Sequence, residues 1–375
     1  MEKQLRLIIA GGGTGGHIFP AVAVGHAVQR MSPDAVLLFV GAAGKMEMEK
    51  VPQEGFKIIG LPIVGFNRGS LLKNISLPFK LLKSAMKARS IIRQFQPNVV
   101  LGVGGYASFP LLNAAQQMGI PTVIQEQNSY AGKSNKILAK KADRICVAYD
   151  GMEQFFPPDK ILITGNPVRK NISNSTLNSM ESRKQMKLSD TKKVLLVIGG
   201  SLGAKSINEA VGKGLQELVD AGLQVLWQCG KPYFETAKQL AAAFADTVHV
   251  HEFIDDMACG YAAADIVISR AGALAIAELC IVAKPVIFVP YPFAAEDHQT
   301  SNARALVERN AALMVPDNEA AALLLPSLLT LLADYSMQAV MQEELKSLAI
   351  TNADERIAAE LFALAGIHPK NATQS

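Results

Sequence analysis

The chain has 375 residues, more than one hydrophobic core usually organises, so two domains are expected. Hydrophobic residues make up 49% and charged residues 19%, which excludes a disordered chain and fits well-buried α/β architecture. A net charge of +4 is too small to require nucleic acid as a partner, and none is expected.

The apolar run at 5–10 leads straight into glycines. It is too short for the core of a secretory signal and far too short to span a bilayer. No later run approaches the roughly eighteen apolar residues of a membrane helix. Cys146, Cys229, Cys259 and Cys280 lie far apart without CxxC spacing, so neither a disulfide framework nor a zinc site is predicted. A cytoplasmic setting follows, with the thiols as small core residues.

Continuous apolar runs at 5–10, 36–40, 57–61, 98–103, 122–125, 144–147 and 161–164 read as parallel strands covered on both faces. The pattern restarts at 193–198 and continues at 224–229, 247–251, 265–269, 285–289 and 312–315. Helical stretches fill the gaps. The predicted fold is α/β, with two Rossmann-like doubly wound parallel-sheet domains facing a cleft. Gly165-Asn166-Pro167 and the polar stretch 170–193 mark the hinge between them. The expected domains are 1–166 and 167–349. A C-terminal helix at about 350–367 is expected to pack back on the first domain, before a flexible tail, 368–375.

The first strand ends in Gly11-Gly12-Gly13-Thr14-Gly15-Gly16-His17, followed by a helix from about residue 18. Gly11, Gly13 and Gly16 match the GxGxxG fingerprint, which requires an acidic residue at the end of the second strand. That strand instead ends in Gly41-Ala42-Ala43-Gly44, so a nicotinamide cofactor is disfavoured and no cofactor is predicted. The glycines then serve close backbone approach to an anionic or sugar ligand at a helix N-terminus, with His17 projecting into the same space. Packing or capping by His17 is the plain alternative. Gly199-Gly200-Ser201-Leu202-Gly203-Ala204 repeats the device, and Gly102-Val103-Gly104-Gly105-Tyr106-Ala107-Ser108 is a third glycine turn after a strand. Three such turns at strand ends predict a ligand-lined cleft.

In Ser269-Arg270-Ala271-Gly272-Ala273, Arg270 at a strand end beside a helix start suits a diphosphate. Glu278, two turns along among Ala275, Ile276 and Ala277, suits the hydroxyls of a ribose. The polar helix start at 295–303 could reach a sugar, with capping by Asp297 and His298 as the alternative. No Asp-x-Asp pair is present, so no metal is predicted, and leaving-group charge falls to Arg169, Arg270 and helix N-termini. His249 and His251 alternate along one strand and read as structural. Between Glu54 and Glu126 there is no acidic residue. Lys57, Arg68, Lys73, Lys80, Lys83, Lys87, Arg89 and Arg93 interleave there with Phe66, Leu71, Leu72, Ile75, Leu77, Phe79, Leu81, Leu82, Met86 and Ile91. Region 57–93 is therefore expected to contact an anionic membrane surface.

The first and third glycine turns, Gln125-Glu126-Gln127-Asn128, Gly165-Asn166-Pro167-Val168-Arg169, Gly199-Gly200-Ser201 and Asp297-His298-Gln299 occur in this order. Together they resemble the MurG family of glycosyltransferases, over residues 5 to about 366. The resemblance implies a GT-B fold and a UDP-N-acetylglucosamine donor held mainly by the C-terminal domain. It implies inverting transfer to the 4-hydroxyl of the muramyl sugar of undecaprenyl-diphospho-muramoylpentapeptide (lipid I), giving lipid II in peptidoglycan synthesis. A peripheral position on the cytoplasmic face of the plasma (inner) membrane follows, with cell-wall synthesis proteins as partners. Implied donor contacts are Thr14, Gly15, Gly16, Asn128, Arg169, Ser201, Ile254, the run Ala273, Leu274, Ala275, Ile276 and Ala277, then Glu278 and Gln299. Gly104, Gly105 and Tyr106 would face the acceptor. His298 and Leu202 depart from the family, which commonly has a second glutamine and a polar residue there. For the general base, His17 is the first choice and Glu126 the competitor. A UDP-N-acetylglucosamine 2-epimerase of similar two-domain fold is the rival, and it would need no lipid acceptor.

Overall fold

The computed structural model describes residues 3–63, 77–200 and 202–370. Ser201, the stretch holding Phe66, Arg68, Leu71, Leu72, Lys73 and Ile75, and the tail from 371 lie outside the described residues. The chain divides into two compact units, Met1–Arg169 with Asn352–Ser375, and Lys170–Thr351.

The first unit is built on a seven-stranded, all-parallel sheet. Its strands are β1 (Arg6–Ala10), β2 (Val36–Ala42), β3 (Ile58–Leu61), β4 (Val99–Gly102), β5 (Thr122–Glu126), β6 (Arg144–Val147) and β7 (Ile161–Ile163). They lie in the order β3-β2-β1-β4-β5-β6-β7. The order reverses between β1 and β4, and the crevice outside the carboxyl ends of strands at such a reversal is where ligands of these sheets bind. The first and third glycine turns stand on its two sides.

Side chains of β1 alternate between two cores, as the period of a strand demands. Leu7 and Ile9 pack with Ile18, Val24 and Val28 of the Gly15–Met31 helix and with Ile357, Leu361 and Phe362 of the C-terminal helix Ala353–Ala365. Ile8 and Ala10 pack with Ile91 and Ile92 of the Leu77–Phe95 helix and with Leu111 and Leu112 of the Ser108–Gln117 helix. Cover on both faces explains why these strands lack polar alternation. Arg30 fastens the C-terminal helix further, with Nη2 donating to the buried Asp354 carboxylate at 2.8 Å.

The second unit has a six-stranded parallel sheet of β8 (Lys193–Ile198), β9 (Leu223–Gln228), β10 (Val248–His251), β11 (Ile266–Ser269), β12 (Val286–Phe288) and β13 (Leu313–Met314). The order is β10-β9-β8-β11-β12-β13, reversing between β8 and β11. Leu195, Val197, Val225, Trp227 and Ile268 pack with Ile207 and Val211 of the Lys205–Lys213 helix and with Leu324 and Leu328 of the Ala320–Ala333 helix. Two doubly wound sheets are the expected GT-B architecture.

Boundaries differ from expectation in two informative places. The first helix begins at Gly15, because the Thr14 carbonyl already accepts from the amides of His17 and Ile18. Strand β2 runs on to Ala42, through Gly41 and two residues beyond the expected end at Val40. Among the described residues no single helix is long and apolar enough to cross a membrane.

Candidate active site

The turns after β1 and β4 pack backbone on backbone. A Cβ at Gly105 would lie 2.0 Å from the Gly12 carbonyl oxygen, and Gly105 has a φ of +83°, so no other residue fits without strain. A Cβ at Gly104 would meet Cδ2 and Nε2 of His17 at 2.8 Å. The Cδ2 and Nε2 atoms of the imidazole therefore lie close against Gly104. Its Nδ1 lies 3.4 Å from Thr14 Oγ1. The Tyr106 ring, 47% exposed, approaches to 3.8 Å of where a Gly13 Cβ would stand. Thr14, Gly15, Gly16, His17, Gly104, Gly105 and Tyr106 are thus gathered at the β1/β4 reversal.

Glu47 joins them, though its position in the sequence did not single it out. It opens the Glu47–Gln53 helix and is buried. Its Oε2 accepts from the Gly13 amide at 2.9 Å and its Oε1 from the Ala42 amide at 2.8 Å. A Cβ at Gly12 would lie 2.2 Å from Oε1, and one at Gly41 would lie 2.4 Å from Cγ of the same side chain. The second strand carries no acidic residue at its end, but a carboxylate folds back to this turn from the following helix and is held by protein amides. The one clue in the sequence is Gly41, whose bare Cα makes room for it.

Glu126 ends β5 in a different setting. Its Oε1 accepts from Asn128 N and Nδ2 at 3.2 and 3.3 Å, and its Oε2 from Gly132 N and Asn135 Nδ2 at 3.0 and 2.9 Å. The carboxylate is buried and closes the loop from 126 to 135 on itself. Asn128 is part of that closure. Beside it runs a buried amide network in which Gln125 Nε2 donates to Asn166 Oδ1, Asn166 Nδ2 to the Gln127 carbonyl, and Gln127 Nε2 to the Val103 carbonyl, at 2.8–2.9 Å. It ties the hinge sequence to the turn on which His17 rests. Arg169 is the last residue of the first unit's N-terminal segment.

In the second unit the turn after β8 repeats the close packing against a different partner. A Cβ at Gly203 would lie 1.9 Å from the Cys229 carbonyl oxygen, and one at Gly230 would lie 2.3 Å from the Gly203 nitrogen. Asn208 locks that partner, donating to the Cys229 carbonyl at 2.8 Å while accepting from Trp227 Nε1 at 3.0 Å. Gln228, another residue the sequence did not mark, braces the turn. Its Nε2 donates to the Gly200 carbonyl at 3.2 Å and its Oε1 accepts from the Ile254 amide at 2.9 Å. One buried amide thus fixes both the glycine turn and the Ile254 backbone. Leu202 at the tip is 75% exposed.

Ala273 to Glu278 lie in the Ala273–Val282 helix after β11, capped by Gly272 in extended conformation. Glu278 is buried, and Tyr261 Oη donates to its Oε2 at 3.0 Å. Arg270 is strongly engaged within the unit. Its Nη1 donates to the carbonyls of Val289 and Pro290 at 3.0 and 3.1 Å and to Asp317 Oδ1 at 2.5 Å, and its Nη2 to Ser206 Oγ at 3.2 Å. These bonds make the guanidinium a bracket between strand ends, which its place in the sequence did not reveal. Gln299 Oε1 accepts from the Tyr291 amide at 3.0 Å. Asp297 takes a left-handed backbone (φ +53°) and accepts from Thr300 Oγ1 at 2.7 Å, without capping a backbone amide.

Among the described residues no group of three or more His, Cys, Asp or Glu could hold a metal ion. Burial pulls the His249 and His251 imidazoles on β10 below their ordinary pKa, with the neighbouring His249 adding to the effect on His251. All four cysteines are buried, and burial pushes the Cys146 and Cys280 thiols up to about 12, which leaves them unreactive.

Comparison with known proteins places this geometry. Residues 7–147 match the glycosyltransferase family 28 N-terminal domain and residues 194–360 its C-terminal domain. The chain is 51% identical, over 99% of its length and 99% of the relative, to a Phocaeicola vulgatus protein named UDP-N-acetylglucosamine--N-acetylmuramyl-(pentapeptide) pyrophosphoryl-undecaprenol N-acetylglucosamine transferase. A Bacteroides thetaiotaomicron protein of the same name is 51% identical, with 97% and 99% coverage. Among solved structures, Acinetobacter baumannii MurG is 29% identical with a TM-score of 0.78, covering 96% of this chain and 100% of that one. A UDP-N-acetylglucosamine 2-epimerase superposes with a TM-score of 0.66 at 17% identity, covering 100% and 99%, a likeness of fold alone.

Proposed function

The chain belongs to glycosyltransferase family 28, and from that premise we infer that it moves N-acetylglucosamine from UDP-N-acetylglucosamine to the 4-hydroxyl of the muramyl sugar of undecaprenyl-diphospho-muramoylpentapeptide. The product is lipid II, for peptidoglycan. The observation that carries this reading is 51% identity along nearly the whole chain to proteins named for that transfer.

The reaction is a single displacement. The acceptor oxygen forms a bond to the anomeric carbon as the bond from that carbon to the UDP oxygen breaks, inverting the centre. The hydroxyl proton passes to His17, and the electron pair of the broken bond leaves with UDP. Two observations favour His17 over Glu126 as the base. Its ring edge rests at the Gly104–Gly105–Tyr106 turn assigned to the acceptor. The Glu126 oxygens, by contrast, already accept four protein hydrogen bonds. On the second unit the turn at 199–203 and the N-terminus of the Ala273–Val282 helix receive the diphosphate, whose negative charge suits both. Glu278, steadied by Tyr261, accepts from the ribose hydroxyls. Ile254 and Gln299 complete the donor site.

The expected result is transfer of labelled N-acetylglucosamine to a short-chain lipid I analogue with chelator present. Conversion of the donor alone to UDP-N-acetylmannosamine would instead support the epimerase reading. His17→Ala should lower kcat by about 10²- to 10⁴-fold, the usual worth of a general base. Near-normal turnover in that variant would remove His17 from the role.

The acceptor is lipid-linked, and the Leu77–Phe95 helix has the surface to approach it. Leu81, Leu82 and Met86 are exposed, at 41%, 61% and 56%, beside the exposed Lys83, Lys87 and Arg89. Apolar groups entering the headgroup region with cations beside them bind anionic bilayers from the side. This supports a peripheral position for the enzyme on the cytoplasmic face of the inner membrane. Leu82→Glu should weaken co-sedimentation with phosphatidylglycerol vesicles several-fold. Unchanged binding would move the contact elsewhere.

A further inference from the structure

We propose that Glu47 is a built-in anion occupying the phosphate seat of the first glycine turn, and that by filling this seat it positions His17 for proton transfer. The proposal rests on the reading of the His17 turn as the reaction centre, and deepens it. In doubly wound sheets the amides at the β1 turn bind a ligand's phosphate. Here the Gly13 amide points to a carboxylate of the chain itself, which the Ala42 amide holds from the end of β2. The carboxylate fills the volume a side chain at Gly12 would occupy.

The consequence runs through backbone contacts. Glu47 fixes Gly12 and Gly13, the Gly12 carbonyl sits against Gly105, and the neighbouring Gly104 carries the His17 ring. Without the carboxylate the Gly13 and Ala42 amides lose their acceptor, and the surface under the imidazole loses its support. A glutamine would not replace it. Each carboxylate oxygen takes one amide, so the NH₂ end of an amide would face one of the two N–H donors. The filled seat also leaves the Gly13 amide unavailable to a nucleotide phosphate, in keeping with a diphosphate seated on the second unit.

The test uses the full chain with Glu47→Ala. Far-UV circular dichroism and a parental thermal unfolding profile show that both units fold, UDP binding reports on the second, and turnover is normalised to the enzyme so checked. The expected result is a kcat lowered roughly 10- to 100-fold, as for a slightly misplaced catalytic group, with the donor KM within about twofold of the parent. Formate should restore kcat saturably, because it is an anion small enough for the vacated seat, whereas formamide should not. A kcat within twofold of the parent overturns the proposal. So does a lost kcat that formate does not restore while UDP binding is normal. If the alanine variant does not fold, Glu47→Gln takes its place, with the same loss of kcat expected and parental kcat overturning the idea. Failure of the underlying reading shows separately: the parent then transfers no sugar to the lipid I analogue, or His17→Ala keeps its turnover whatever Glu47 does.

Discussion

The two glycine turns, after β1 and after β8, share a backbone plan and differ in what stands behind them. Each leaves a central parallel strand at the reversal of its sheet, and each meets its neighbour through a glycine set against a carbonyl oxygen: Gly105, from the turn after β4, against Gly12 of the first turn, and Gly203 of the second turn against Cys229. Behind the first stands the carboxylate of Glu47, and behind the second the neutral amide of Gln228. The first turn has an internal negative charge and repels another, so what it presents outward is His17. The second has no such charge, so it remains suited to an anionic ligand. On the proposed assignment of the diphosphate to the second turn, the capacity to hold a nucleotide depends less on the glycine pattern than on the charge of the side chain that braces it.

The strongest way to separate the two turns is to spoil by the same change the glycine-on-carbonyl contact that each makes. Gly105→Ala and Gly203→Ala both place a methyl within about 2 Å of a carbonyl oxygen, at positions with φ of +83° and +75°. Strain of that backbone and overpacking together amount to roughly 2–5 kcal/mol, so each turn must shift. Gly105→Ala should lower kcat by about 100-fold with little change in donor KM, because it moves the surface under His17. Gly203→Ala should chiefly raise donor KM. Steady-state kinetics with the donor varied at saturating acceptor reads both. If the two variants lose the same parameter, the division of labour between the turns is wrong.

Much of the fold was legible because parallel strands buried on both faces leave uninterrupted apolar runs, as at β1, β4 and β8. The glycine turns were legible because close backbone approach admits no other residue. The braces were not. Nothing in Lys45-Met46-Glu47-Met48-Glu49-Lys50 singles out Glu47, and only its hydrogen bond to the Gly13 amide gives it meaning. Gln228 has partners at Gly200 and Ile254, both remote in sequence. The protein acceptors of Arg270, at Val289, Pro290 and Asp317, come from later strand ends, so its bracing role has no mark in the sequence around it. Glu126 was visible as a strand-end carboxylate, while its engagement by Asn128, Gly132 and Asn135 depends on how the loop closes.

A subtler exchange tests charge alone. Gln228→Glu would install behind the second turn the kind of group that stands behind the first. The new carboxylate could still accept from the Ile254 amide, but an oxygen would face the Gly200 carbonyl where an N–H now donates. Its charge would also lie beside the proposed diphosphate seat. Unfavourable juxtaposition of like charges costs several kcal/mol in buried surroundings, and about 1.4 kcal/mol corresponds to tenfold in affinity. Part of the charge would be relieved by proton uptake, so a rise in donor KM of about 10- to 100-fold is expected, with kcat affected less. Gln228→Met removes the hydrogen bonds without adding charge and should raise donor KM only about 3- to 10-fold. The ratio between the two variants measures what the charge does. If the glutamate variant binds donor as well as the methionine variant, charge is not what distinguishes the turns, and the asymmetry must lie in the shape of their backbones.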